Sequence, residues 1–215
     1  MSRNALIVFA REPVPGQVKT RLAASVGDIA AADKYASMLE NVLSNCRKLT
    51  GVETTVFWDC NEASLPLLER RYECRSKLQG VGKLGQRMQA AFAEIFGSGC
   101  DHCCIIGSDS PDLPVSYILE AFDRLTSPQT DAVFGPTHDG GYYLLGLSRL
   151  WPQLFENIDW STPQTLLQSL DAAGKAGIRA ALLPKWYDID TLDDLEEYRA
   201  RTGAKSGMLR VSEEL

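Results

Sequence analysis

Histidine is almost missing from this chain: its 215 residues include two, His102 and His138. No Ser-His-Asp set is evident, so a two-step acyl mechanism is not expected. Basic residues are also in deficit. Lys and Arg number 22 against 28 Asp and Glu, a formal net charge of −6, and nucleic-acid phosphates select the opposite sign of surface. No apolar run approaches the ~20 residues that a membrane helix needs. The N-terminal stretch is too short, and too polar at its end, for a signal peptide. The expectation is a cytoplasmic protein with neither a nucleic-acid nor a membrane partner. Two nucleotide fingerprints are lacking as well. The first strand-like segment is not followed by G-x-G-x-x-G, which weakens an NAD-dependent oxidoreductase, and its loop lacks G-x-x-x-x-G-K-[ST], which excludes a P-loop. Cysteine, with six residues, supplies a single C-x-x-C half-site in Cys100-Asp101-His102-Cys103-Cys104. Cys46, Cys60 and Cys74 are isolated from one another, so no second pair completes a zinc site. With 45% hydrophobic residues the chain has core enough to fold without disulfides.

What the chain does have is alternation. Ala5 to Ala10 is strand-like, and Asp28 to Leu49 places Ala32, Tyr35, Met38, Leu39, Val42 and Leu43 on one helical stripe. Thr54 to Trp58 reads as a strand, Asn61 as the cap of a short helix, and Cys74 to Leu78 as a weak strand before a helix ending near Phe96. Cys104 to Ile106, Asp131 to Gly135, Gly141 to Leu147 and Ile178 to Leu183 are further strands. Helices follow Pro114, Thr162-Pro163 and Thr191. Strand–helix alternation predicts a mostly parallel sheet covered on both faces, a three-layer α/β/α arrangement. We expect one domain over residues 1–202 and a loose tail over 203–215.

Three constellations carry chemistry. Asp109, in Ser108-Asp109-Ser110-Pro111-Asp112, and the pair Asp188 and Asp190 each follow a strand-like segment. That is the edge where open α/β sheets bind ligands, and two such carboxylate clusters can hold Mg²⁺ against substrate phosphates. Asp188 and Asp190 alternate across Ile189, so in an extended segment only one faces a ligand; Asp190 is the expected site residue. The loop from Arg11 to Arg21 carries Arg11, Lys19 and Arg21 around Gly16, a cation set suited to polyphosphate. Lys19 and Arg21 lie two residues apart, so an extended chain would aim both at one ligand. Gly82 and Gly85 precede a helix whose N–H groups suit phosphate or base recognition. His138-Asp139-Gly140-Gly141 is either a plain hairpin turn or an acceptor-binding turn, with Asp139 taking hydroxyl hydrogen bonds and Gly140 and Gly141 admitting a ligand.

Taken in order, several segments resemble the nucleotide-diphospho-sugar transferase superfamily with the GT-A fold. They are Phe9 through Leu22, Leu84-Gly85-Gln86-Arg87-Met88, Ile106 through Leu113, Gly135 through Tyr143, and Asp188-Ile189-Asp190-Thr191. More closely, they are similar to a bacterial glycosyltransferase-like group related to phospholactate guanylyltransferase and the molybdenum-cofactor nucleotidyltransferases. The resemblance implies that Lys19 and Arg21 hold nucleotide phosphates, and that Asp109 and Asp190 share Mg²⁺ (or Mn²⁺). Lys19, Asp109 and Asp190 are then the catalytic set. One departure is Gly82-Lys83-Leu84-Gly85, where similar sequences carry Gly-Asp-Leu-Gly. The expected activity is metal-dependent transfer from a nucleotide or nucleotide-sugar to a small acceptor; the rival is a non-catalytic nucleotide-binding protein that kept the fold.

Overall fold

A computed structural model describes residues 2–203. The expected tail therefore lies, from residue 204 onward, outside the described residues. Strand β1 (Asn4–Arg11) runs through the middle of the sheet, and its Leu6, Ile7 and Val8 have no solvent exposure. Such an unbroken buried run is what a strand covered on both faces requires. The other strands are β2 (Val52–Asp59), β3 (Arg75–Leu78), β4 (His102–Ile106), β5 (Ala132–Pro136), β6 (Tyr142–Leu147) and β7 (Ala180–Leu182). Their order is β3-β2-β1-β4-β6-β5-β7. β6 runs antiparallel to both of its neighbours, and the remaining pairings are parallel.

Helices cover both faces, giving the three-layer α/β sandwich. On one face α2 (Asp28–Cys46), α3 (Leu65–Tyr72) and α5 (Val115–Thr126) pack Leu39, Val42, Leu68, Phe122 and Leu125 against Leu6, Val8, Val56 and Ile106. On the other, α4 (Leu84–Gly97) and α6 (Thr165–Lys175) pack Met88, Phe92, Ile95 and Ala173 against Ile7, Phe57, Ile105 and Leu145. Odd and even strand positions thus serve opposite layers. Cys103 and Cys104 divide between the layers in the same way, and all six cysteines are free. Asn61 does not cap by its side chain; a 3-10 turn at Glu62–Ser64 intervenes before α3.

A third, smaller cluster decides the site. α1 (Thr20–Val26) and α7 (Leu192–Thr202) meet α2 through Leu22, Ala23, Ala31, Met38, Ile189 and Leu195. Thr191 caps α7 in a reciprocal box: its hydroxyl accepts from the Asp194 N–H, and the Asp194 carboxylate accepts from the backbone of Thr191 and Asp190. Ile189 is thereby pinned in the core with an aspartate on either side.

The far edge of the sheet is tied electrostatically. Asp131 accepts from Arg179 Nε at 2.7 Å, Nη2 at 2.9 Å and backbone N at 2.9 Å, joining the entries to β5 and β7. Those hydrogen bonds hold its carboxyl below the usual range against the opposing effect of burial. A depressed folded pKa adds stability that is present above the unfolded value of about 3.9 and is lost as pH falls through the folded value. The melting-temperature gap between wild type and Asp131→Asn should therefore be widest near neutrality and close in acid; a gap independent of pH would refute this.

Candidate active site

The loops after β1 and β4 are locked together by one phenol. Tyr35, buried on α2, accepts a 2.9 Å hydrogen bond from the Arg11 N–H and shares another at 2.8 Å with the Ser108 hydroxyl. Burial pushes its pKa up to about 12, so it remains a neutral strut. The chain from Glu12 then turns through Gly16, at φ 79°, and reaches Lys19 at φ 48° and ψ 45°. That left-handed conformation is uncommon outside glycine. It starts α1 and turns the Lys19 side chain inward, leaving it 5% exposed.

The Lys19 ammonium lies 2.6 Å from Asp109 Oδ1 and 2.8 Å from Asp190 Oδ1, and it also donates to the Ile189 carbonyl. Three oxygens thus surround the ammonium, with Asp190 Oδ1 and the Ile189 carbonyl accepting hydrogen bonds and Asp109 ion-paired. Burial pulls the Lys19 pKa down, but the two carboxylates outweigh it and the net shift is upward. The lysine stays charged.

Asp188 corrects the alternation argument. Asp188 and Asp190 line the same cavity, about 500 Å³ in volume. Past the bridge between Thr137 and Trp186 the backbone leaves the sheet, and the Ile189 N–H bonds the Asp109 carbonyl at 2.9 Å. Outside a strand nothing enforces opposite faces. Asp188 accepts a 2.8 Å hydrogen bond from Ser110. Its pKa is pushed up to about 7, chiefly by burial and also by Asp109, Asp139 and Asp190, against the lowering effect of Ser110.

The cation loop is helical from Thr20 where an extended chain was expected. α1 begins at Thr20, yet Lys19 and Arg21 both line the cavity and both reach the Asp190 carboxylate: Lys19 is buried against Oδ1, while Arg21 is 77% exposed and stands 3.8 Å from Oδ2. Arg11 lines the cavity and faces Asp59 at 3.7 Å. Arg87 joins this end of the cavity through Asp59 at 3.0 Å and Gln79 at 2.7 Å, and among the described residues its buried Nε meets no acceptor. Sequence reading passed over Arg87, although it lies in Leu84-Gly85-Gln86-Arg87-Met88. Trp160 lines the cavity too.

Most of the glycines singled out in the sequence lie behind the cavity wall. Gly16, Gly82, Gly85 and Gly140 are outside the cavity lining, whereas Gly141 and Asp139 are within it. At Gly85 a Cβ would stand 2.4 Å from the Trp160 indole nitrogen, so its smallness admits that ring. Asp139 Oδ1 accepts from Thr137 Oγ1 and from the Gly141 N–H, which makes it a brace of its own turn.

The model of a bacterial family described as "Uncharacterized protein conserved in bacteria (DUF2064)" matches residues 42–162. The chain belongs to this family. A solved relative agrees: a provisionally assigned nucleotide-diphospho-sugar transferase from Desulfovibrio desulfuricans G20 is 31% identical, with 99% of this chain and 92% of that chain covered and a TM-score of 0.87. CMP:2-keto-3-deoxy-manno-octonic acid synthetase, solved with CTP, is 13% identical over 93% of this chain and 98% of that one, at a TM-score of 0.61. Molybdopterin-guanine dinucleotide biosynthesis protein A from Archaeoglobus fulgidus is 16% identical over 93% and 98%, at 0.56. At such identities the last two speak for the fold alone, which is the GT-A fold of nucleotide-diphospho-sugar transferases. No match was found among the curated proteins.

For this family member, the site's donor chemistry can be set against a divalent cation. Among the described residues no three His, Cys, Asp or Glu side chains gather as a metal-holding group. Asp109 and Asp190 are nonetheless hard oxygen donors, 45% and 44% exposed, and each meets Lys19 through Oδ1. The pair fits Mg²⁺ or Mn²⁺ by donor type, with water and phosphate making up the remaining ligands. No helix among the described residues is long and apolar enough to cross a membrane.

Proposed function

We propose that this protein is a nucleotide-dependent transferase that works at the phosphates of a nucleotide or nucleotide-sugar, with Mg²⁺ or Mn²⁺ as its cofactor. The observation that supports this most is the meeting of Lys19, Asp109 and Asp190 in one cavity, though they come from three separate loops. Asp109 and Asp190 would hold the metal, which when bound supplies charge neutralisation to a diphosphate. Arg21 and Arg11, both exposed at the cavity, are placed to meet phosphate oxygens, Arg21 beside the acid pair and Arg11 toward Asp59. Lys19 holds the two carboxylates together in the unliganded site, so the acid pair is already assembled when phosphate and metal arrive. Direct in-line transfer needs no protein nucleophile, and the cavity lining contains neither histidine nor cysteine. Trp160, Tyr142 and Thr162 line a further part of the cavity, available to an acceptor.

Two transfers share this apparatus, and their products separate them. Pyrophosphate released from an NTP plus a sugar phosphate means nucleotidyl transfer; free NDP released from an NDP-sugar means glycosyl transfer. The reading fails if neither donor class turns over with metal present. Arg21→Ala should weaken polyphosphate-bearing ligands roughly tenfold, the size expected for a charge-assisted hydrogen bond at an exposed guanidinium. Titrations with a nucleoside and its triphosphate check this. Equal loss for the nucleoside would indicate general damage to the loop.

A further inference from the structure

The Lys19 ammonium sits where a cation shared by Asp109 and Asp190 would have to be. It contacts Oδ1 of both carboxylates at 2.6 and 2.8 Å, and it also donates to the Ile189 carbonyl. We propose that Lys19 is an internal competitor for the divalent cation, closing the acid pair to metal until a phosphate group draws the lysine away. The proposal rests on the transferase reading above and adds an order of binding to it: the phosphate ligand enters first, and the metal with it or after it.

Three observations carry this. Seated between the aspartates, the ammonium has three oxygens within 2.8 Å, two of them hydrogen-bond acceptors and the third an ion-pair partner, so reaching a phosphate means leaving one of them. The side chain is 5% exposed, and a buried ammonium does not give up its carboxylates without another anion to receive it. The charge balance points the same way. One ammonium and two carboxylates leave a single negative charge; a dication arriving alone makes the cluster positive, and a phosphate arriving with it restores the balance. Arg21 stands at the exposed side of Asp190, 3.8 Å from Oδ2, where it can hold that phosphate within reach of Lys19. The left-handed backbone at residue 19 is the joint that aims the side chain.

Mn²⁺ binding, read by electron paramagnetic resonance on the full chain with no phosphate compound present, tests the competition. Lys19→Met is expected to bind Mn²⁺ at least about tenfold more tightly than wild type, equivalent to ~1.4 kcal/mol. The gain should vanish in Lys19→Met combined with Asp109→Asn. Mn²⁺ should also raise the melting temperature of Lys19→Met more than that of wild type. Lys19→Gln, which can still donate to the Ile189 carbonyl, is the second variant if Lys19→Met does not fold, and the same gain is expected of it. Equal or weaker Mn²⁺ binding by the folded variant overturns the competition. If wild type itself binds Mn²⁺ tightly and the variant no better, the competition alone is lost and the transferase reading stands. If no form of the chain binds Mn²⁺ or a nucleoside triphosphate, the transferase reading goes with it.

Discussion

Asp109→Asn is expected to lower turnover by at least about a hundredfold, the usual size of losing one electrostatic group at a site of developing charge. The substitution keeps the shape of the side chain and an oxygen for Lys19 to meet, and the Ile189 N–H still finds the residue 109 carbonyl. What disappears is the negative charge that, with Asp190, makes the pair a cation site. Folding should survive, because Asp109 is 45% exposed and lies at the edge of the sheet, away from the packed layers. Two measurements on one preparation decide the matter. The melting temperature without ligands should stay within a few degrees of wild type, while the extra stabilisation that Mg²⁺ adds to a bound nucleotide should vanish. A variant that retains both full turnover and full metal-linked stabilisation would remove Asp109 from the mechanism. If the unliganded protein melts far lower, its role is structural.

Gly140→Ala is expected to destabilise the fold by roughly 2–5 kcal/mol, the sum of backbone strain and overpacking. Gly140 sits at φ +92°, and an added Cβ would fall 2.1 Å from the carbonyl oxygen of Pro163 and 2.7 Å from its carbon. Both are backbone atoms, so no side-chain rotation relieves the clash. The same closeness is productive in wild type, where the Leu166 N–H donates to the Gly140 carbonyl at 3.0 Å and docks the start of α6 on the turn. For a chain of this size such a loss corresponds to a fall in melting temperature on the order of 10 °C. Gly174→Ala is the control: it lies in α6 with nothing within 4 Å of an added Cβ, and should be neutral or gain up to about 1 kcal/mol. Comparable losses at both positions would mean that the contact with Pro163 is not what selects glycine at residue 140.

The ease with which sequence revealed each part followed its physical scale. The sheet and its covering helices were legible because burial on two faces writes long apolar runs, as in Leu6 to Val8, and because α2 repeats its apolar stripe over five turns. The start of a helix at Thr191 was legible because capping is a local affair of three or four residues. The short helix after Lys19 was not. Its seven residues depend on Leu22 and Ala23 meeting α2 and α7, a contact with no trace in the local pattern. Taking residues 17–21 as extended misses that helical turn, although Lys19 and Arg21 still reach one carboxylate, Asp190, from its buried and its exposed side.

By itself the sequence determined the layered α/β fold and which loops carry charge, since period, capping and turn chemistry act between near neighbours. It also singled out Lys19, Asp109 and Asp190 as chemistry-bearing. Tertiary structure alone decided how they are related. Ile189 is buried against Leu22, Met38 and Leu195, and that packing brings Asp188 and Asp190 into one cavity where strand alternation would have parted them. The ammonium between the two aspartates joins residues 90 and 171 positions from it along the chain. Contacts over such separations depend on how the sheet and the α1–α2–α7 corner close, and no local pattern of residues encodes them.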